Sequence, residues 1–399
     1  MLDIYRKGVY SVNMMKAYKY RIYPNKEQID LFNRTFGSVR FVYNWGLSRK
    51  IKEYQTNKKG ISFFQLASDM KELKEENPWL KDVNSQSLLM ALRNLDNAFT
   101  SFFRKQNKFP KFKNKHTQQA FQNPQHCSVD FESGFLHIPK IKNIRAIFHR
   151  EFPGYGKIKT ATVKRTKTNK YFVSILIDDG KEIPKKLLPV EEKSIGVDLG
   201  LTHFCTLSNG KKIENPRFLK KSEKQLARAQ RSLSKKKKGS KNRQKSKLKV
   251  ALLHEKVHNQ RVDFLHKVAK GLIDDNQAVC LEDLSVKKMQ KNKYLAKSIS
   301  DASWRTFRSL CEQKADSSGK VVKIIGRFQP SSKMCNNCGK VRKSLPLYKR
   351  EWICECGTKH DRDILAANNI LHFAFCTAGT VGYKACGENI RPDSSGKSL

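Results

Sequence analysis

Acidic residues are scarce in this chain. Only 36 Asp and Glu stand against 80 Lys and Arg over 399 residues, giving a formal charge of +44 and a pI near 10.0. A balance this one-sided needs an anionic partner, and nucleic acid is the usual one. Long apolar runs are missing too: no stretch of about 18 apolar residues occurs, which excludes a spanning helix. The opening MLDIYRKGVYSVNMMK has neither the apolar block nor the cleavage site of a signal peptide. Met14 or Met15 is an alternative start that would make the first dozen residues dispensable. A soluble, cytoplasmic protein is expected. The 23 Phe and 12 Tyr within a 38% hydrophobic content exclude a disordered polycation. Of ten cysteines, Cys335, Cys338, Cys354 and Cys356 cluster, while Cys127, Cys205, Cys280, Cys311, Cys376 and Cys386 are scattered. That pattern reads as one metal site plus ordinary buried thiols rather than a disulfide framework.

The strand pattern KAYKYRIYP (16–24) ends at Pro24, and helical spacing follows from Lys26 through Ile29, Phe32, Phe36, Val39 and Tyr43. Further helices are expected at Phe63–Lys74 and Ser85–Phe103, the latter with Leu88, Leu92, Leu95 and Phe99 on one face. FPKFKNKH (109–116) breaks the helices, and strand signals then run to about residue 180. The clearest is a hairpin turning at Lys167–Lys170. These features predict a basic β-barrel whose first strand precedes an inserted helical bundle, a cradle suited to folded RNA or duplex, although the composition equally allows a plain oligonucleotide-binding barrel. The Pro- and Lys-bearing segment 183–193 marks the main boundary.

Beyond it, 194–216 reads as three short strands. Fifteen Lys/Arg with the single acid Glu223 fill Arg217–Lys249, interrupted by a turn at KKKKGSKNR; this one-sided charge favours phosphate contact over a merely solvated face. The strand AVCLED, a helix at Ala302–Ala315, the strand KVVKIIG and the helix RDILAANNIL complete a ribonuclease-H-like α/β order. In such a sheet, strand ends and the start of a packed helix supply converging carboxylates for metal-assisted phosphodiester hydrolysis. Asp198 ends the first strand beside Gly200, Glu282 ends AVCLED, and Asp363 opens the last helix. Asp283, Asp301 and Asp361 compete for these roles, with Asp361 also suited to a helix N-cap. Cys335-Asn-Asn-Cys338-Gly and Cys354-Glu-Cys356-Gly form a closed, structural zinc set, and His360 stands as an alternative ligand.

SIGVDLG, LEDL, SISDASWRTFRSLCEQKA, PSSKMCNNCG, REWICECG and HDRDILAANNI, in this order, resemble the TnpB (OrfB) proteins of bacterial insertion sequences. The resemblance extends to YRIYPNKEQIDLFNRTFGSVRFVYNWGL and FPKFKNK, and so covers nearly the whole chain. It implies an RNA-guided DNA endonuclease related to type V CRISPR effectors, with a RuvC-like nuclease domain carrying an inserted zinc ribbon. The implied partners are a guide RNA from the transposon end and target double-stranded DNA beside a short flanking motif. The catalytic acids fall on Asp198, Glu282 and Asp363, holding Mg²⁺ or Mn²⁺; one structural Zn²⁺ falls on Cys335, Cys338, Cys354 and Cys356.

By resemblance the chain comprises a first barrel strand with its extension (1–24), a recognition bundle (25–105), a wedge-like barrel (106–190), nuclease parts (191–330 and 359–375), the ribbon (331–358) and a tail (376–399). The bundle, around Ser62–Phe63 and Ser85–Gln86, is expected near the flanking motif. Two departures stand out: the second cysteine pair is CxC rather than CxxC, and Leu365 replaces the family's usual Asn. One active site per chain permits a monomer. The alternatives are an RNA-guided repressor that does not cut, a transposase accessory DNA-binding protein, and a transposase performing strand transfer itself.

Overall fold

Why strand gives way to helix at the start of the chain is visible in its side chains. In a computed structural model, β1 (Asn13–Tyr23) alternates inward Tyr20 and Ile22 with outward Lys19, Arg21 and Tyr23. Asn25 and Gln28 then form a reciprocal capping box that starts α1 (Lys26–Asn57). Ser62 and Gln65 do the same for α2 (Phe63–Glu76), and α3 (Ser85–Phe103) follows a short 3₁₀ turn. The structure describes residues 13–153, 156–186, 188–346 and 348–376; the first dozen residues and the tail beyond 376 lie outside them. The chain divides into two compact units, Met1–Glu182 and Ile183–Leu399.

In the first unit, β2 (Gln119–Asn123), β3 (Ser128–Asp130), β4 (Phe135–Ile138), β5 (Ile141–Ile147), β6 (Lys157–Arg165) and β7 (Tyr171–Glu182) join β1 in one antiparallel sheet. Its order is β2-β6-β7-β1-β5-β4-β3, so the first strand sits at the centre and the three helices are inserted between it and the rest. The sheet is open: its edge strands β2 and β3 do not pair with one another, and the expected barrel is a half-barrel. Phe32 and Phe36 of α1 pack on Phe121, and Phe32 also on Tyr171, with ring centroids 5.4–5.7 Å apart, closing the core on one face. A second core of Val42, Leu47, Leu66, Leu88, Leu92 and Leu95 holds the helices together.

The second unit begins with an antiparallel meander, β8 (Ser194–Leu199), β9 (His203–Leu207) and β10 (Lys212–Glu214). A long hairpin of α4 (Phe218–Ser234) and α5 (Lys241–Asp275) follows. Ser240 caps α5, and Arg243 donates to the Leu233 and Lys236 carbonyls at 2.9 and 2.8 Å, so one of the hairpin's cations ties the turn. None of α4 is fully buried. Next come β11 (Ala278–Glu282), α6 (Val286–Met289), α7 (Ala296–Ala302), α8 (Trp304–Ser317) and β12 (Val321–Ile325). The helix expected from Ala302 starts instead at Trp304, because Ser303 takes a left-handed conformation (φ 55°) that separates α7 from α8. The sheet order β10-β9-β8-β11-β12 places β8, β11 and β12 side by side and parallel. A two-stranded antiparallel sheet, β13 (Glu351–Ile353) and β14 (Lys359–Asp361), where the ribbon was expected, leads into α9 (Arg362–Phe375). Among the described residues no helix is long and apolar enough to cross a membrane.

Candidate active site

A glycine that sequence reasoning passed over sets the geometry. Gly196 lies two residues before Asp198, on the same face of β8. A Cβ at 196 would sit 2.0 Å from the Ala367 carbonyl oxygen and 2.9 Å from the Leu371 Cβ, so only glycine lets α9 lie directly on the strand. From this contact, four residues back along α9 span about 6 Å, and two residues on along β8 span about 6.6 Å. The steps match. Asp363, in the first turn of α9, therefore arrives beside Asp198, near enough for its charge to act there. In the neighbouring parallel strand Leu281 is opposite Val197, which sets Glu282 level with Asp198.

Burial of the Asp198 carboxyl, and then the negative charges of Glu282 and Asp363, push its pKa from 3.8 up to about 7; Arg362 and Arg350 offset this only in part. Asp198 has no ion pair among the described residues. Such mutual repulsion is the electrostatic situation that a divalent cation relieves, and an all-carboxylate donor set suits Mg²⁺ or Mn²⁺. The three acids do not form one tight cage: among the described residues only the four cysteines have ligand atoms all within 4.8 Å of one another. Wider spacing suits a pair of ions, which stand about 3.5–4 Å apart in two-metal sites.

The competing acids are engaged elsewhere. Asp361 caps α9 through the amides of Asp363 and Ile364 and pairs with Lys212 at 2.7 Å. Asp301 accepts from Arg261 at 2.5 Å and from the Leu219 amide, while Asp283 pairs with Arg308 and Arg327. Asp363 itself meets Arg350 at 3.0 Å, an exposed guanidinium able to swing away. Gly200 does not take a left-handed turn; a side chain there would crowd the His203 carbonyl at 2.9 Å, so its smallness serves the β8–β9 turn.

Two further positions were missed. Ser331 donates to the Glu282 carboxylate, and the fully buried Asn369 donates to the Ser331 and Met334 carbonyls at 2.6 and 2.8 Å. Asn369 thus ties α9 to the loop that orients Glu282. A polar residue on the apolar face of RDILAANNIL was the available signal.

In the ribbon, Cys335 and Cys356 sulfurs are 3.7 Å apart and those of Cys338 and Cys354 3.6 Å. A tetrahedral zinc with bonds of about 2.3 Å has edges of about 3.8 Å, so the four thiols can hold that ion. Both pairs close on a left-handed glycine: Gly339 donates to Cys335 O and Gly357 to Cys354 O, each at 2.9 Å. The CxC pair is thus a shortened copy of the same turn. Hydrogen bonds from the Thr358 side chain and amide hold the Cys356 thiol below its usual range. His360 Nε2 lies 3.1 Å from Cys335 Sγ with its ring against Trp352, buttressing the sulfur rather than replacing it. Leu365 is buried with Cys335, Leu345, Trp352 and Cys354, so the family's polar position serves here as the apolar floor of the ribbon.

A protein of Streptomyces pristinaespiralis named "Putative RNA-guided DNA endonuclease" is 40% identical over 380 residues, covering 94% of this chain and 92% of its own. The OrfB family of IS605 elements, described as "Probable transposase", matches residues 181–293. The chain belongs to the TnpB (OrfB) family. The Escherichia coli K12 relative "Putative RNA-guided DNA endonuclease InsQ" is 31% identical over 404 residues, with 96% of each chain covered. A "Cas12f1-like, TNB domain" matches residues 304–370, which include the four clustered cysteines and the first part of α9. A "Helix-turn-helix domain" matches residues 14–59, where this TnpB-family chain forms one strand and a single long helix. Its fold is similar to the cryo-EM structure of a Cas12f1-sgRNA-target DNA complex, with a TM-score of 0.61 at 14% identity over 90% of this chain and 99% of the other.

Proposed function

We propose that this chain is a guide-RNA-directed DNA endonuclease. On this reading it cuts double-stranded DNA beside a short flanking motif at one RuvC-like site and so supports maintenance of its insertion sequence. The observation that carries the reading is the unpaired Asp198 carboxyl, its pKa raised by Glu282 and Asp363 within a chain of charge +44. Asp198, Glu282 and Asp363 hold Mg²⁺ or Mn²⁺, which when bound supplies Lewis acidity toward the phosphodiester. The chain's own groups do the positioning. Ser331 fixes the rotamer of Glu282, Asp361 fixes the first turn of α9, and Arg350 pairs with Asp363. Zinc on Cys335, Cys338, Cys354 and Cys356 is structural, since four thiolates leave no open position.

In this scheme residues 25–105 approach the flanking motif, while 106–190 and the basic stretch Arg217–Lys249 grip guide and heteroduplex phosphates. Residues 191–330 and 359–375 form the nuclease around the ribbon at 331–358, and one such site per chain, with a guide RNA from the transposon end, permits action as a monomer. Base pairing reads the target, and the protein reads only the motif and the duplex shape. The test is cleavage of a matched plasmid in Mg²⁺ by the protein purified with its RNA. Wild type cuts and Asp198→Ala does not; equal cutting by both refutes the assignment. Joining of transposon ends that survives ribonuclease treatment would indicate a transposase instead, and occupancy without cutting a repressor.

A further inference from the structure

The strap between α3 and β2 has an unusual make-up. From Asp96 to Asp130 there is no acidic residue, while Arg104, Lys105, Lys108, Lys111, Lys113 and Lys115 fall within it. Three phenylalanines on or beside this polycation face solvent: Phe103 is 73% exposed, Phe109 46% and Phe112 56%. Removing apolar rings from water is the main gain of folding, so rings left out on an ordered segment are unspent binding surface.

The strap is held in place by side chains. The backbone of residues 108–112 has no hydrogen-bond partner among the described residues. At one end Phe109 sits edge-on to Phe99 and Phe102, with centroids 5.5 and 5.4 Å apart. At the other, Asn44 makes two 2.8 Å hydrogen bonds with the Lys113 backbone, and the Lys113 ammonium lies 3.7 Å from the Tyr43 ring centroid. Phe112 and Phe103 are thereby presented outward, each within one residue of a cation. An acidic protein could satisfy the charge, but alternation of flat rings with lysines matches the alternation of bases and phosphates in an unpaired strand.

We infer that the end of α3 and the strap after it, residues 102–115, form a stacking surface for unpaired nucleotides, with Phe112 and Phe103 taking bases and the neighbouring Arg104 and lysines their phosphates. The inference rests on the nucleic-acid reading above and adds where unpaired bases are held.

The test uses full-length protein and a 2-aminopurine-labelled oligothymidylate, alongside a duplex of equal length, titrated across a series of salt concentrations. Phe112→Leu and Phe103→Leu keep apolar bulk and remove the flat ring; melting curves confirm folding. Each variant is expected to bind the single strand roughly tenfold more weakly and to lose the stacking-dependent fluorescence change. Duplex affinity and the salt slope should stay at wild-type values. Lys111→Gln should lower the salt slope and keep the fluorescence change. Variants that bind the single strand as wild type does, or lose duplex and single strand equally, overturn the stacking surface and leave the nuclease reading intact. Wild-type protein that binds the duplex but not the single strand overturns the stacking surface, and wild type that binds neither probe even at the lowest salt also overturns the nucleic-acid reading on which it rests.

Discussion

Replacing Asp198 by Asn should make the Mg²⁺-free protein more stable while abolishing cleavage. In the fold this carboxyl has a pKa raised from 3.8 to about 7 by burial and by Glu282 and Asp363. The folded state therefore binds a proton that the unfolded state has released, and ionised Asp198 lowers stability progressively as pH rises from about 4 to 7. A shift of about 3 pH units corresponds to about 4 kcal/mol at and above neutrality. Asp198 is half-buried, and its neighbours can relax, so about 1–2 kcal/mol is the realistic gain on removing the charge. For a unit of this size each kcal/mol moves the melting point by about 2–4 °C. The assay is thermal melting in Mg²⁺-free buffer without chelator, which leaves zinc in place. Asp198→Asn should melt several degrees above wild type at pH 8, and the gap should close as pH falls toward 4. Added Mg²⁺ should stabilise wild type and leave the variant nearly unmoved. A variant that melts at or below wild type at pH 8, or a gap independent of pH, would refute the convergence of charge on Asp198.

Gly196→Ala places a methyl 2.0 Å from the Ala367 carbonyl, so α9 must lift from β8; a loss of about 3 kcal/mol in denaturant melts and no detectable cleavage are expected. Asn369→Ala removes two buried hydrogen bonds, costing about 2–3 kcal/mol, and single-turnover cleavage should slow about tenfold as Glu282 loses its support. Cys335→Ser should leave purified protein without zinc by elemental analysis and without cleavage, since the Arg362 amide bonds the Arg350 carbonyl and couples the ribbon to α9 at 2.8 Å. Wild-type zinc content in that variant would remove Cys335 from the ligand set.

What the sequence made legible was whatever leaves a local trace. Period-two alternation marked β1, apolar residues three and four apart marked α1 and α3, and Cys-x-x-Cys-Gly marked the turn at Gly339. The approach of Glu282 and Asp363 to Asp198 was also readable, because strand ends and helix starts are local, and the order of elements tells which ends meet. What stayed hidden was contact between distant segments. Nothing near Gly196 announces that a helix some 170 residues later rests on it, nor does the family's usual Asn reveal that Leu365 floors the ribbon. The split at Ser303 depends on one left-handed residue that resembles any other serine in a helical pattern. These hidden positions share a role. Gly196, Asn369 and Leu365 each fix α9 against a different neighbour, namely β8, the Ser331 loop and the ribbon core. The third carboxylate is thus delivered by a helix held on three sides, which explains how a chain so short of acid keeps Asp363 beside Asp198 against their repulsion.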